Sequence, residues 1–243
     1  MRALVTILQC RRVVLPYVFM RHALPRMRQS FPGEIEVLLI QHKARQQAGS
    51  RLRSHRLGKE REDLVEQWSA EGRYAGAQIH RHDTWHAPYP SIPSYHIAVQ
   101  AALERRVDFH VYLEDDALLL DPDCGRWEEL MGPAEVGVYR PRTHIINSSW
   151  FVARPSFDQR ILAGLSRYWW WRRSSRIESW LRRKLRGEPA IFEESYAVKH
   201  HYNEHRFTGM RYVVERLTDL CPEDVGLLEI DFGDEARRYS VAR

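Results

Sequence analysis

Three adjacent acids, Glu114, Asp115 and Asp116, are the residues of this chain whose type and spacing point most directly to chemistry. They follow five mostly apolar residues, 109–113, and an apolar run of this length predicts a strand covered on both faces. Open α/β sheets bind ligands beyond the carboxyl ends of such strands. Three carboxylates held this close repel one another unless a hard divalent cation or a donor-rich ligand neutralises them, and the oxygen ligands suit Mg²⁺ or Mn²⁺. The alternative is a solvated turn at a strand end.

The elements that must position these acids begin with a predicted β-α-β unit. Ala3–Gln9 predicts a strand, Val14–Ser30 a helix with apolar residues at helical spacing, and Ile35–Gln41 a second strand. Such a unit implies a parallel pair of strands joined by a right-handed crossover. This opening is typical of nucleotide-binding folds.

Further elements then lead the chain to the acids and beyond them. The predicted segments are a mobile loop over 42–59, a helix over 61–71, a strand over 77–82, a proline-rich link over 85–93, paired strands over 136–139 and 145–153, and a helix over 156–165. Ser94 is predicted to cap a helix that runs through Arg105 into the strand before the acids. The tail beyond Asp224 is too mixed to assign. At 243 residues the chain is predicted to form one domain over 1–243, and its 44% apolar and 28% charged residues predict that most of it folds.

This order of elements, with the acid-terminated strand at 111–118, resembles the GT-A fold of nucleotide-sugar-dependent glycosyltransferases over roughly residues 3–200. The family signature is an Asp-x-Asp-type motif at a strand end. The resemblance implies a Rossmann-like α/β fold with a mixed, mainly parallel sheet flanked by helices and a C-terminal helical region on the acceptor side. Residues 1–120 then form the nucleotide-sugar-binding half and residues 121–243 the acceptor-side half.

The resemblance also implies roles for the three acids. Asp116 matches the final, metal-binding acid of the motif, with Glu114 as a second metal ligand. Either Glu114 or Asp115 matches the acid that faces the nucleoside and the donor sugar. Both choices stay open, because Glu114-x-Asp116 and the pair Asp115-Asp116 each fit variants of the motif. The bound cation, Mn²⁺ or Mg²⁺, neutralises charge that develops on the leaving diphosphate.

A late acid is the implied general base, which removes the proton of the attacking acceptor hydroxyl. In inverting family members this acid stands at the start of a helix, and Pro189–Val198 has that form. Glu194, and after it Glu193, is therefore the predicted base, the alternative being acids that only complement a helix dipole. Some family members complete metal coordination with a late histidine. Candidates here are His200, His201 and His205, and a second group is His80, His82 and His86, with solvated or hydrogen-bonded histidines as the alternative.

The chain departs from the family at the end of the second strand. Many relatives carry an acid there that binds the base, whereas this chain has Gln41-His42-Lys43. Contacts to the base and the phosphates are predicted instead from Gln9, Arg11 and Arg12, just after the first strand. A UDP-sugar is the expected donor, with the identity of the base left open.

A basic, tryptophan-rich segment at 167–186 holds eight Arg or Lys residues and one acid. Its apolar residues Ile177, Trp180, Leu181 and Leu185 share one helical face. This composition is typical of a helix that lies on anionic lipid. The alternatives are a helix whose apolar face packs on the core, and a nucleic-acid-binding segment, which is the least favoured of the three.

These observations predict a metal-dependent glycosyltransferase that moves a sugar from a nucleotide-sugar to a glycan or lipid-linked acceptor. On family grounds its process is bacterial envelope polysaccharide or lipopolysaccharide synthesis. One alternative is a non-enzymatic basic module that binds nucleic acid or an anionic membrane through 167–186. Another is a metal-dependent phosphotransferase that uses the same carboxylates.

The expected location is the cytoplasm, with peripheral attachment to the inner face of the membrane. The sequence has no apolar run of about 18 residues that would span a bilayer, and its first apolar stretch is too short for a signal peptide. The three cysteines are widely spaced and odd in number, so they are expected to be reduced thiols.

Overall fold

A computed structural model describes residues 1–9, 12–43, 63–83, 91–115, 117–119, 126–139, 150–171, 177–192, 197–199 and 210–240. The strands are β1 (Arg2–Gln9), β2 (Glu34–Lys43), β3 (Gln78–Asp83), β4 (Phe109–Glu114), β5 (Ala117–Leu119), β6 (Val136–Tyr139), β7 (Trp150–Ala153), β8 (Ala190–Phe192) and β9 (Ala197–Lys199). Seven of them form one sheet in the order β3-β2-β1-β4-β7-β6-β8, while β5 and β9 pair separately.

The large sheet is mainly parallel. Strands β1, β2, β3 and β4 run parallel to one another. Strand β7 is antiparallel to both β4 and β6. Strand β8 is parallel to β6, so six of the seven strands point the same way and bring their carboxyl ends to one edge. The predicted mixed and mainly parallel α/β sheet is confirmed.

Helices cover both faces of this sheet. They are α1 (Val14–Val18), continued by a π-helical segment (Phe19–Ala23) and α2 (Leu24–Ser30), then α3 (63–70), α4 (Ser91–Arg105), α5 (Trp127–Met131), α6 (Pro155–Trp171), α7 (Ile177–Arg182), α8 (Met210–Leu220), a 3-10 helix (Pro222–Leu227), α9 (Leu228–Phe232) and α10 (Asp234–Ser240). In the part of the chain described, no helix is both long and apolar enough to cross a bilayer.

The sheet separates two apolar cores because side chains alternate along each strand. Val5 and Ile7 of β1 face a core shared with α1, α2 and the C-terminal helices, whereas Leu4 and Leu8 face a core shared with α4, α6 and α7. Seven consecutive residues of β1, Ala3 to Gln9, are buried. This double coverage explains why β1 and β4 have uninterrupted apolar sequences, as predicted for strands covered on both faces.

Two predicted boundaries are wrong. Ser94 does not cap α4, since the helix begins at Ser91 and accepts Pro93 in its first turn, where proline is tolerated. The helix start predicted at Pro189–Val198 is also wrong wherever this segment is described, because its two ends form strands β8 and β9. Both strands are short and become regular only by pairing, with β6 and β5 respectively.

The basic segment packs part of its apolar face against the core. Trp180 and Leu181 are buried and Leu185 is partly buried against the same core. A Cβ added at Gly164 of α6 would come within 2.7 Å of the Trp180 ring, so this glycine lets the ring approach. The alternative in which the face packs on the core is therefore confirmed for these residues, while Arg182 and Arg183 are exposed.

Candidate active site at the carboxyl edge of the sheet

The reversal of strand order between β1 and β4 defines the candidate site. From β1 the chain crosses to β2 and β3 on one side, and β4 then adds to the other side of β1. In open α/β sheets, the crevice beyond the carboxyl ends at such a reversal is where ligands bind. Gln9 ends β1 here, and Glu114 ends β4 with Asp115 directly after it.

Asp115 is buried and fixes the loop that follows β1. Its side chain is 8% exposed, and Oδ2 accepts a hydrogen bond of 3.0 Å from the backbone N–H of Arg12. Its own N–H donates to the carbonyl of Leu8 at 3.2 Å. Glu114, half-buried, is the last residue of β4. Glu114 and Asp115 are the two acids predicted as candidates to face the nucleoside. Of these, Asp115 also holds the backbone of the loop after β1.

Gln9 is the centre of a buried amide network at the same edge. It is 1% exposed, and its Nε2 donates to the carbonyl of Arg12 at 2.8 Å and to the Tyr74 hydroxyl at 3.0 Å. Its Oε1 accepts from Nε2 of Gln41 at 2.9 Å. The amide thus supports the loop from within the protein, and its predicted contact with a base stays a prediction.

Gln41, at the position where relatives carry an acid, continues this network. Its Nε2 also donates to the Ser69 hydroxyl at 2.8 Å, and its Oε1 accepts from Nε of Arg81 at 3.1 Å. The Tyr74 hydroxyl donates to the carbonyl of Val13 at 3.2 Å. Burial raises the pKa of Tyr74 far above its ordinary value, which keeps this hydroxyl a donor.

The C-terminal helices complete the loop after β1. Oδ2 of Asp231, in α9, accepts hydrogen bonds from the backbone N–H groups of Val13 (3.0 Å) and Val14 (2.7 Å) at the start of α1. The guanidinium of Arg12 lies 4.8 Å from the centroid of the Phe232 ring. A carboxylate from the same chain therefore takes the place that an anion takes at a free helix N-terminus.

The small β5–β9 sheet brings a late part of the chain back to the acids. Ala117 pairs with Lys199 and Leu119 with Ala197 in antiparallel register. Ala117 directly follows Asp116 in the sequence, and Lys199 directly precedes His200. Strand β8 ends with Phe192 at the same edge as Glu114, and the Glu193-Glu194 pair directly follows Phe192.

Several predicted residues lie outside the part of the chain that the structure describes. They are Arg11, Asp116, Glu193, Glu194, His86, His200, His201 and His205. Of the second histidine group (His80, His82 and His86), His80 is exposed and Nε2 of His82 lies 3.1 Å from the Ser94 hydroxyl. The hydrogen-bonded alternative is therefore confirmed for His82.

Sequence reasoning missed Tyr74, Ser69 and Asp231. The sequence gives no signal for Asp231, since the residues beyond Asp224 are too mixed to predict an element and the backbone amides that Asp231 binds are 217 and 218 residues away. Tyr74 sits in the turn region between α3 and β3, where nothing local marks a tyrosine as buried. Tyr74 and Asp231 reach the site only because the sheet brings distant loops to one edge.

No family model and no curated protein sequence matches. Similar solved structures include HddC from Yersinia pseudotuberculosis, with 9% identity over 92% of this chain and 99% of that one and a TM-score of 0.49. Mannosyltransferase PcManGT from Pyrobaculum calidifontis, in complex with GDP-Man and Mn²⁺, has 9% identity over 98% and 68% and a TM-score of 0.40.

A third similar structure is the galactosyltransferase LgtC in complex with donor and acceptor sugar analogues. It has 10% identity over 79% of this chain and 72% of that one, with a TM-score of 0.37. Glycosyltransferases are thus among the solved proteins that this chain resembles in backbone arrangement.

Proposed function

We propose that this chain is a metal-dependent glycosyltransferase that transfers a sugar from a nucleotide-sugar donor to a glycan or lipid-linked acceptor. The observation that carries the proposal is the acid cluster at the end of β4, next to β1, where the strand order reverses. Ligands of α/β sheets bind at this point. Carboxylates there suit a divalent cation and the donor diphosphate that the cation neutralises.

The metal is proposed to bind Asp116 with Glu114. The pairing of Ala117 with Lys199 supports a third ligand, His200, since Asp116 and His200 are the chain neighbours of a paired couple. Carboxylate oxygens with one imidazole nitrogen form a donor set that suits Mn²⁺. When bound, the ion stabilises the charge of the leaving diphosphate.

The nucleoside is proposed to lie against the loop after β1. The Gln9 network and Asp115 hold this loop from both sides, which supports a pre-formed surface. The N–H groups of residues 12–14 already donate to Asp115 and Asp231. Phosphate contacts are therefore assigned to the metal and to Arg11.

Glu194, and after it Glu193, is proposed to be the general base. Two observations support this: β8 ends at the same edge as β4, and only four residues, 193–196, connect β8 to β9 beside β5. A base on this connection accepts the acceptor hydroxyl proton as the oxygen attacks the sugar. Glu194→Gln is expected to lower the transfer rate roughly 10²–10⁴-fold, whereas Glu188→Gln, on the exposed turn before β8, serves as the control.

A thermal-shift panel tests the proposal. UDP-, GDP- and TDP-sugars and a CMP-sugar are added with and without Mn²⁺ to the wild type, to Asp116→Asn and to the control Asp219→Asn, an exposed residue of α8. A ligand that binds only the native state raises the melting temperature. The expected result is a metal-dependent shift with one nucleotide, kept in Asp219→Asn and lost in Asp116→Asn. No shift with any nucleotide would contradict the proposal.

A second candidate function is a basic module that binds an anionic membrane. The exposed Arg182, Arg183 and Arg186 favour it. It predicts that the triple change to glutamine weakens binding to anionic vesicles and that Asp116→Asn does not. Loss of vesicle binding together with unchanged nucleotide binding would assign the two properties to separate surfaces.

A further inference from the structure

A second cluster of potential metal ligands lies away from the carboxyl edge of the sheet, between the π-helical segment and the C-terminal helices. A ring nitrogen of His22, Cys221 Sγ and a carboxylate oxygen of Asp224 lie within 4.8 Å of one another. Cys221 and Asp224 are buried, and the His22 side chain is 19% exposed. The cluster therefore joins elements about 200 residues apart and keeps a path to solvent.

We propose that these three side chains form a structural zinc site. Imidazole, thiolate and carboxylate are the ligand types that zinc takes in proteins, with bonds of about 2.0–2.3 Å. Ligand atoms in such a tetrahedral site stand about 3.3–3.6 Å apart, so the Cys221 sulfur has to approach by about 1.5 Å at most. Nε2 of His22 and Oδ2 of Asp224, now 2.6 Å apart, separate as the cation takes the place of their shared proton.

Two features of the cluster favour a bound cation over an ion pair between His22 and Asp224 alone. Oδ1 of Asp224 accepts a hydrogen bond of 2.9 Å from Arg21, which orients the carboxylate and leaves Oδ2 facing His22. The thiol of Cys221 is buried, and among the residues described it makes no hydrogen bond. The ion pair alone leaves this sulfur unused.

Glu223 is the candidate for the fourth ligand. Its Oε1 lies 3.9 Å from Nε2 of His22, and its side chain is 53% exposed, so it reaches the site from the solvent side. The π-helical turn that carries His22 widens the helix at this point, a feature that often marks functional positions. A metal held this way would connect the helical region from α1 to α2 to the C-terminal helices, which also cap the start of α1 through Asp231.

Cobalt binding to a protein with one cysteine tests the proposal. In a Cys10→Ser/Cys124→Ser background, Cys221 is the remaining cysteine of the three. Co²⁺ is expected to give a thiolate-to-metal charge-transfer band that Cys221→Ala abolishes and that His22→Gln weakens. The control His80→Gln, an exposed histidine of β3, should leave the band unchanged.

Zinc addition supplies a second measurement. In an Asp116→Asn background, which removes a ligand of the metal proposed for the carboxyl edge, Zn²⁺ at about a hundredfold excess over the dissociation constant should raise the melting temperature by roughly 5–10 °C, and adding Cys221→Ala should abolish this shift. The absence of the cobalt band in protein with unchanged circular dichroism would overturn the proposal. So would a zinc-induced shift that persists in Cys221→Ala. If the double-serine background does not fold, the same comparison is made between the wild type and Cys221→Ala.

Discussion

Two buried polar networks of similar size lie on the same sheet and differ in where along the strands they sit. The first, the mid-strand network, lies beneath α6. The second, the edge network, lies at the carboxyl ends of the strands. Their members are Thr6, His110, Tyr112 and Asp158 in the mid-strand network, and Gln9, Gln41, Tyr74 and Asp115 in the edge network.

The mid-strand network has the residue types of a catalytic triad without access to a substrate. The Thr6 hydroxyl lies 2.9 Å from Nε2 of His110, and Asp158 accepts hydrogen bonds from Nδ1 of His110 at 2.7 Å and from Tyr112 at 3.0 Å. All four residues are at most 1% exposed. The network therefore fastens α6 to β1 and β4.

The edge network is also buried, with residues up to 8% exposed, but it holds a loop in place. Gln9 and Asp115 hold the carbonyl and the N–H of Arg12, and Tyr74 holds the carbonyl of Val13. These contacts position a segment at the strand-order reversal, where ligands bind. The two networks therefore differ in position along the strands: the mid-strand network fastens α6 to the sheet, and the edge network holds the loop after β1.

The largest effect is expected from Asp158→Ala in the mid-strand network. The change leaves His110 and Tyr112 buried without their shared acceptor, so the free energy of unfolding should fall by about 3–5 kcal/mol. Urea denaturation measures this loss. Gln159→Ala, at the exposed neighbouring position of α6, should change stability by less than about 0.5 kcal/mol. A loss below about 1 kcal/mol for Asp158→Ala would show that the network is not a fastening.

Gln9→Met tests the edge network at similar side-chain volume. Because the Arg12 carbonyl and the Tyr74 hydroxyl lose a donor, the free energy of unfolding should fall by about 1–3 kcal/mol. Donor binding, measured by the nucleotide-induced thermal shift, should weaken as well. Thr6→Val, in the mid-strand network, is the matched variant: it should lose comparable stability and keep donor binding. Equal effects of both variants on binding would remove the distinction between the networks.

Asp231→Ala removes the carboxylate that caps α1. Stability should fall by about 0.5–2 kcal/mol, the usual cost of losing an N-terminal cap. Asp231→Asn should recover part of this loss, since asparagine also caps well. The measurement is thermal unfolding beside Asp234→Ala, an exposed acid of α10 expected to have little effect. Unchanged stability in Asp231→Ala would mean that water replaces the cap without cost.

Tyr112→Phe should cost about 1 kcal/mol at neutral pH through the lost hydrogen bond to Asp158. Burial, with the neighbouring Asp158 carboxylate, raises the pKa of Tyr112 well above the ordinary 10.0. In the unfolded chain this tyrosine ionises near pH 10. The contribution of the neutral Tyr112 side chain to the free energy of unfolding is therefore complete below that pH and is lost as the pH rises above it.

Stability measured from neutral pH to above pH 10 should therefore fall more steeply for the wild type than for Tyr112→Phe. Tyr239→Phe, which removes the hydroxyl of a residue that is 40% exposed, should follow the wild-type curve. Parallel curves for Tyr112→Phe and the wild type would place the alkaline sensitivity on another group.

Much of the sheet could be predicted because its signals are local. The apolar runs of β1, β2 and β4 specify strands covered on both faces, and the helical spacing over 14–30 specifies the crossover between the first two. Short strands such as β8 and β9 were mistaken for a helix start, since three residues carry too little periodicity to identify a strand.

The local sequence specifies that a central strand ends in acids at one edge of a mainly parallel sheet. The polar residues that meet at this edge are set by the tertiary packing: Asp231 reaches α1 across 217 residues, and Gln9 meets Tyr74 across 65. The reason is physical. Hydrophobic periodicity is set by near neighbours along the chain, whereas hydrogen-bond partners of buried polar groups are chosen by the packing that brings distant segments together.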